Sequence, residues 1–256
     1  MEIDLENFLS NFKGKKIIFV PNPGNAGDSL IALGTYHLLK KIGINYVNGN
    51  WYDEYENSEI LFGGGGNLIG IYQNCEQFII KNCKRNKITI LPHTIKDIDH
   101  LLINPEIIQN VTFICREKLS FDYVKNFTNN VYLSKDMAFY INPDFIQQCK
   151  KDPIYNIGYC FRTDIEQTKV IIPIGNVDIS ISNHCSKHNL DAICSSFFNY
   201  LSQYKTIHTN RLHVGIAASL LGIEVYIYSN SYYKVEAVYN FSIKDKYDKS
   251  YFIKDE

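Results

Sequence analysis

The 256-residue sequence lacks the features that announce a membrane, secreted or nucleic-acid-binding protein. No apolar run approaches the roughly 18–20 residues that span a bilayer. Residues 1–16 alternate acidic and apolar positions and have neither the basic start nor the apolar core of a secretory signal, so the chain reads as soluble and cytosolic. The formal net charge is −1, which leaves no global basic field to hold a nucleic acid or an anionic membrane. Any anion must be bound locally. The seven cysteines include no C-x-x-C pair and fall on strand- and helix-like segments, as expected of reduced, buried thiols. Neither G-x-G-x-x-G nor a P-loop is present, so dinucleotide and nucleoside-triphosphate readings have little support. The glycosylation sequons at Asn110 and Asn126 carry no weight outside the secretory route.

What is present is a repeated alternation of β-rich runs, glycine or polar loops, and segments with helical spacing, which indicates parallel α/β layers. Strands are expected at 16–20, 59–62, 88–91, 111–115 and 131–133, with helices over 29–42, from the glycines to 80, and over 117–127. A break near Asn142-Pro143 and a polar link at 149–153 separate a second unit. That unit repeats the grammar: strands at 155–161, 177–182, 205–208 and 224–228, with helices over 190–204 and from the turn at Arg211 to 221. The expectation is two Rossmann-like domains, 1–150 and 151–256, facing across a cleft in a GT-B-like manner. The tail, 242–256, either forms a helix packed on the first domain or frays.

Parallel sheets bind ligands beyond the carboxyl ends of their strands. Asp28, the tetraglycine with Gly64 and Gly65, His93, Arg116, Arg162 and the pair Arg211/His213 each follow a predicted strand. Arg211 and His213 cannot share a helix face at a spacing of two, but they can enter one crevice from a strand-to-helix turn. A permanent cation beside a group that titrates near neutrality suits an anionic substrate undergoing proton transfer. Each residue also has a plainer reading. Asp28 either accepts a proton from a hydroxyl or caps a helix. The tetraglycine admits a ligand to the backbone or acts as a hinge. Arg116 and Arg162 bind an anion or form surface ion pairs, Arg116 with Glu117 or Asp122, and His213 can be structural. His184, Cys185 and His188 have short metal-ligand spacing, but no second cluster completes a zinc site, so no metal is expected. The 19 tyrosines, several between 226 and 239, can hold sugars or simply pack.

The segments Asn25-Ala-Gly-Asp28-Ser-Leu-Ile31, Gly63-Gly-Gly-Gly-Asn-Leu68, Leu91-Pro-His-Thr94, Arg116-Glu-Lys-Leu-Ser120, Ser134-Lys-Asp-Met-Ala138 and Thr209-Asn-Arg-Leu-His-Val-Gly-Ile-Ala-Ala218, with Lys234 downstream, occur in one order. In these the chain resembles the polysaccharide pyruvyl transferase family, over roughly residues 15–240. The resemblance implies a GT-B-like fold and transfer of a pyruvyl unit from phosphoenolpyruvate to a sugar hydroxyl pair of a surface-polysaccharide precursor, without a further cofactor. It carries Arg116, Arg211 and His213 onto donor-holding positions and Asp28 onto the acidic position of the first loop. His213 is then the general acid/base, Asp28 a base or orienting group, and Arg116 and Arg211 the donor clamp. Arg162 stands in reserve, with Gly64, Gly65, His93 and Lys234 on the donor side. Guanidinium forks match a donor bearing both carboxylate and phosphate. The implied setting is cytoplasmic, peripheral to the inner membrane face. The acceptor sugar, its carrier and the oligomeric state stay open. A nucleotide-sugar glycosyltransferase of the same fold is the enzymatic rival, and a non-catalytic glycan- or anion-binding module is the rival of another class.

Overall fold

In a computed structural model, which describes residues 1–164, 166–167, 171–181 and 189–254, the chain divides into two α/β units. The first holds Met1–Pro23 and Thr35–Tyr140, the second Gly24–Gly34 and Ile141–Glu256. Both sheets are parallel throughout. No helix among the described residues is long and apolar enough to cross a membrane.

The elements up to Leu133 run α1 (Leu5–Ser10), β1 (Ile17–Val20), α2 (Ala26–Ile42), β2 (Tyr46–Asn48), β3 (Glu59–Phe62), β4 (Gly65–Leu68), α3 (Asn74–Asn82), β5 (Lys87–Ile95), α4 (Asp99–Leu102), α5 (Pro105–Asn110), β6 (Val111–Cys115), α6 (Lys118–Lys125) and β7 (Val131–Leu133). Unbroken apolar runs such as Ile17–Val20 are buried at every position, as interior parallel strands must be. The sheet order is β2-β1-β3-β5-β6-β7, with β4 paired to β5. From β1 the chain moves outward to β2 and then returns to the other side of β1 with β3. The direction of winding therefore reverses between β1 and β3, and the crevice at that switch point is where such sheets receive ligands. Asn22 follows β1 there, and Gly63 and Gly64 follow β3.

The later elements are α7 (Pro143–Cys149), β8 (Tyr155–Tyr159), α8 (Leu190–Ser202), β9 (Tyr204–Thr209), α9 (Leu212–Leu221), β10 (Glu224–Tyr228), α10 (Lys234–Val238), a π-helical turn at Tyr239–Ile243 and β11 (Ser250–Ile253). They build a four-stranded sheet in the order β11-β10-β9-β8. Gly222, at φ +71°, ends α9 in the left-handed conformation that glycine adopts without strain.

Several expectations are corrected. The tetraglycine leads into strand β4, not directly into a helix, because Gly65 and Leu68 pair with His93 and Ile95. His93 lies inside β5, which continues to Ile95 past a register shift between Ile90 and His93. Residues 177–181 form turns in place of a strand, with Ile181 N–H bonded to the Asp178 carbonyl. The tail is neither a helix nor frayed: β11 adds a parallel edge strand to β10. Strand β2, helix α1 and the short helices α4, α5 and α7 were not expected from periodicity, since each is too brief to show a period.

Gly63 has a clear steric reason. A Cβ there would lie 2.5 Å from the Asn22 backbone nitrogen and 3.2 Å from the Pro21 carbonyl carbon, two rigid groups at the end of β1. Gly63→Ala is expected to destabilise the first unit by about 1–3 kcal/mol through overpacking. A urea midpoint equal to that of the parent would show that the strand ends can separate freely.

Candidate active site

At the switch point of the first unit, a chain of amides leads from the glycine loop to a histidine. Asn22 Nδ2 donates to the Gly64 carbonyl at 3.2 Å, and Asn67 Nδ2 donates to Asn22 Oδ1 at 2.6 Å. Asn67 Oδ1 then lies 2.9 Å from His93 Nε2, while His93 Nδ1 lies 3.2 Å from the Leu91 carbonyl. The Gly64 carbonyl can only accept, which orients both amides and calls for a proton on Nε2; the Leu91 carbonyl calls for one on Nδ1. Only imidazolium supplies both. Complete burial, and then the nearby Arg116 charge, oppose that form and pull the His93 pKa down to about 3. The neutral ring therefore satisfies one acceptor at a time, with two tautomers in competition.

Arg116 follows β6 and takes its backbone bond from the neighbouring strand, N–H to the His93 carbonyl at 3.0 Å. Its side chain is 1% exposed. Nε donates to Thr94 Oγ1 at 2.9 Å and Nη1 to Asp136 Oδ2 at 2.8 Å, and Asp136 also accepts from Ala138 N–H through Oδ1. The surface ion pair with Glu117 or Asp122 is thus excluded as the account of Arg116. Glu117 instead caps α6, accepting from Ser120 N–H, and burial raises its pKa.

In the second unit, the loop before α2 wraps two candidate groups. Asn25, not Asp28, is the N-cap: Asn25 Oδ1 accepts from Gly27 N–H at 2.8 Å, and Asp28 Oδ2 accepts from Asn25 N–H at 2.9 Å. This reciprocal pair is a capping box. A side chain on Gly24 would overlap the Asp28 carboxylate, and a Cβ on Gly27 would lie 2.6 Å from His213 Nδ1. The glycines thus let the loop close over both Asp28 and His213.

Arg211 is the N-cap residue of α9, in extended conformation, and His213 stands in the first turn of that helix. Arg211 grips Asp178 with two bonds, Nε to Oδ1 at 2.8 Å and Nη2 to Oδ2 at 2.5 Å. Asp164 bridges the two arginines, accepting from Arg162 Nε at 2.8 Å and lying 2.9 Å from Arg211 Nη2. Glu166 joins Arg162 Nη1 at 2.9 Å to Lys234 Nζ at 3.0 Å. Burial would raise the Asp164 pKa, but the hydrogen bonds and charge of Arg162, with the charge of Arg211, hold it down at about 2. Three cations and three carboxylates therefore neutralise one another largely out of water, and Arg162, like Arg116, is no surface ion pair. A mostly apolar cavity of about 270 Å³ opens at Asp178, lined by Ala26, Val177, Ile179, Ile193 and Phe197 together with Ser196 and Tyr200.

A larger depression of about 640 Å³ lies in the first unit among Lys15, Glu59, Arg85 and Lys87. It sits at the amino ends of β3 and β5, the edge opposite to that used for chemistry in such sheets.

The expected residues thus fall into two clusters. Gly64, His93 and Arg116 meet in the first unit; Asp28 and His213 adjoin one loop in the second, and Arg162, Arg211 and Lys234 share one ionic network there. Sequence reasoning missed Asn22, Asn67, Thr94, Asp136, Asp164, Glu166 and Asp178. The acids had a partial signal: each buried guanidinium requires a carboxylate, and Asp136, Asp164 and Glu166 follow predicted strands, whereas Asp178 lies within the segment 177–182 that was expected to be a strand. The His184, Cys185 and His188 group lies outside the described residues. Among the described residues no three His, Cys, Asp or Glu side chains gather as a metal site, and the six cysteines are free and buried.

The family model described as polysaccharide pyruvyl transferase matches residues 25–232. A curated Bacillus subtilis (strain 168) protein named "Putative pyruvyl transferase EpsO" is 28% identical over 272 aligned residues, covering 87% of this chain and 84% of that protein. The crystal structure of a functionally uncharacterised protein from Klebsiella pneumoniae subsp. pneumoniae NTUH-K2044 is 36% identical. It covers 97% of this chain and 96% of its own, with a TM-score of 0.85.

Two outcomes are expected from these environments. Asp136→Asn leaves the Arg116 charge buried without its partner and should cost about 3–5 kcal/mol, whereas the double change Arg116→Met/Asp136→Leu should cost less than Asp136→Asn alone. Denaturant midpoints check this, and a milder single variant would refute it. His93 binds its proton less readily folded than unfolded, since its pKa falls from 6.5 to about 3. Its contribution is complete above about pH 6.5 and declines as pH falls toward 3. His93→Gln should accordingly flatten the loss of stability between pH 6.5 and 4; an equally steep decline would contradict it.

Proposed function

Because the chain belongs to the polysaccharide pyruvyl transferase family, a family of transferases, we propose that it moves a pyruvyl group from phosphoenolpyruvate to two hydroxyls of a sugar, forming a pyruvate ketal. The observation that supports this most is the placement of buried arginines at strand ends in both units, Arg116 beside His93 and Arg211 beside Arg162. A donor carrying a carboxylate and a phosphate is matched by such guanidinium forks.

The chemistry is acid and base catalysis. A proton is added to the donor methylene carbon, one sugar hydroxyl bonds to the adjacent carbon, the bond from that carbon to the phosphate oxygen breaks, and the second hydroxyl closes the ketal. Of the two hydroxyl protons released, one balances the proton now held by the methyl group and the other leaves on phosphate. We assign His213 as the general acid/base, Asp28 as the group orienting an acceptor hydroxyl, and Arg116 and Arg211 as the donor clamp. Gly64, Gly65, His93, Arg162 and Lys234 line the donor side. Donor binding at Arg211 then requires its anionic groups to take over bonds now made by Asp178 and Asp164, an exchange of like for like in charge. The acceptor is read as a precursor of exopolysaccharide or capsule, met in the cytoplasm at the inner membrane face.

Phosphate release from phosphoenolpyruvate with a cell-wall or exopolysaccharide precursor fraction as acceptor tests the assignment; nucleotide release from a sugar nucleotide would favour the glycosyltransferase instead. Arg211→Lys should lower kcat/KM for phosphoenolpyruvate by on the order of 10²-fold while the melting profile stays near that of the parent. His213→Ala should lower kcat by about 10²–10⁴-fold with donor affinity little changed. Near-native turnover in either variant removes the corresponding role.

A further inference from the structure

Parallel sheets of α/β proteins ordinarily bury both faces. In the second unit β8, β9, β10 and β11 are neighbours in chain order, and right-handed crossovers then bring α8, α9 and α10 to the same face. Ile207, Val225 and Ile227 fill that side and are fully buried. The alternate residues point the other way and meet solvent: Ile157 is 49% exposed and Tyr251 42%.

Across this open face runs a ladder in register, Tyr159 opposite His208, His208 opposite Tyr226, and Tyr226 opposite Tyr251. The His208 and Tyr226 rings stack at 4.9 Å and 12°, those of Tyr226 and Tyr251 at 5.2 Å and 29°. Rings stacked at the strand spacing stand up from the sheet, so the ladder offers ring edges and tyrosine hydroxyls in a row. Its charge is muted. Glu224 accepts from Thr206 Oγ1 at 3.0 Å and from the Tyr226 hydroxyl at 3.2 Å, and burial lowers the His208 pKa, favouring the neutral ring. One row nearer the carboxyl edge, the Tyr228 hydroxyl lies 3.0 Å from His208 Nδ1 and its ring 5.2 Å from that of Phe161. Phe161, itself buried, immediately precedes Arg162, so Tyr228 brings the face to the edge that carries the arginine network.

We propose that this face is a docking platform for a neutral stretch of the acceptor glycan, holding sugar units behind the one that reacts. The choice of ligand class rests on the transferase reading above; the surface itself does not. Sugars present alternating C–H and hydroxyl patches, which match a surface of aromatic edges and hydroxyls. Among the described residues of the four strands, those on this side include no lysine or arginine; Lys249, next in register to Glu224, stands just before β11. Four strands about 4.8 Å apart and some five residues long span about 300 Å², well below the roughly 800 Å² per partner of a stable protein complex. A face of that size is small for a stable pair of copies on its own and suits a few sugar units.

Native gel electrophoresis through dextran, laminarin or galactomannan tests the platform without requiring turnover. The parent protein should be retarded by at least one of these, and Tyr226→Ala/Tyr251→Ala should bind at least about tenfold more weakly. Arg211→Lys, impaired in donor use, should be retarded like the parent, which separates failure of docking from failure of the transfer reading. Should the alanine variant not fold, Tyr226→Phe/Tyr251→Phe keeps the stack and should weaken retention about three- to tenfold. Absence of retardation in every gel, or retention unaffected by these changes, overturns the proposal. So does a dimer in size-exclusion light scattering that the tyrosine changes dissolve, since the face would then belong to a second copy.

Discussion

A guanidinium taken out of water keeps its charge at any pH a protein meets, so it must be accompanied by carboxylates, and both units are arranged around that requirement. Arg116 can be 1% exposed because β6 and β7 end side by side and deliver Asp136 within 2.8 Å. Arg162, Arg211 and Lys234 tolerate their burial because Asp164, Glu166 and Asp178 interleave with them. These pairs hold the strand-end turns in fixed geometry. They also leave each guanidinium already paired with carboxylates of the protein itself, in the forked geometry at Arg211 and Asp178 that a charge-assisted pair prefers.

Topology decides where those pairs stand. In the first sheet the winding reverses between β1 and β3, the position at which such sheets receive ligands, and an amide chain leads from Asn22 and Gly64 there to His93. In the second sheet the strands succeed one another without reversal, which gathers the helices on one face and leaves the aromatic ladder on the other. The same connection rule thus yields a switch point in one unit and an open, hydroxyl-lined face in the other.

The elements legible in the sequence were those with a strong local period or a sharp break. The run at β1, the helix closing at Gly43, the strand at Glu224–Tyr228 and the turn at Arg211 emerge from residues adjacent in the chain. Short elements escaped: β4 exists because Gly65 and Leu68 find His93 and Ile95 across the sheet, and β11 because β10 offers a free edge. Residues 177–181 have strand-like composition, yet they turn, and this places Asp178 on Arg211. Asp28 was read as a cap or a catalytic group, and its bond to Asn25 N–H makes it part of a capping box without removing its carboxylate from the loop beside His213.

By itself the sequence determined the α/β class, the candidate residues at strand ends and the family, because hydrophobic period, turn chemistry and motif order are local properties of the chain. Only the tertiary structure decided which charges meet, that Arg116 belongs to Asp136 and Arg211 to Asp178, that His93 is held neutral between two carbonyl acceptors, and which sheet face stays open. Those outcomes depend on distances between residues far apart in sequence, and on burial, which turns a charge or a ring proton from a matter of composition into one of partners.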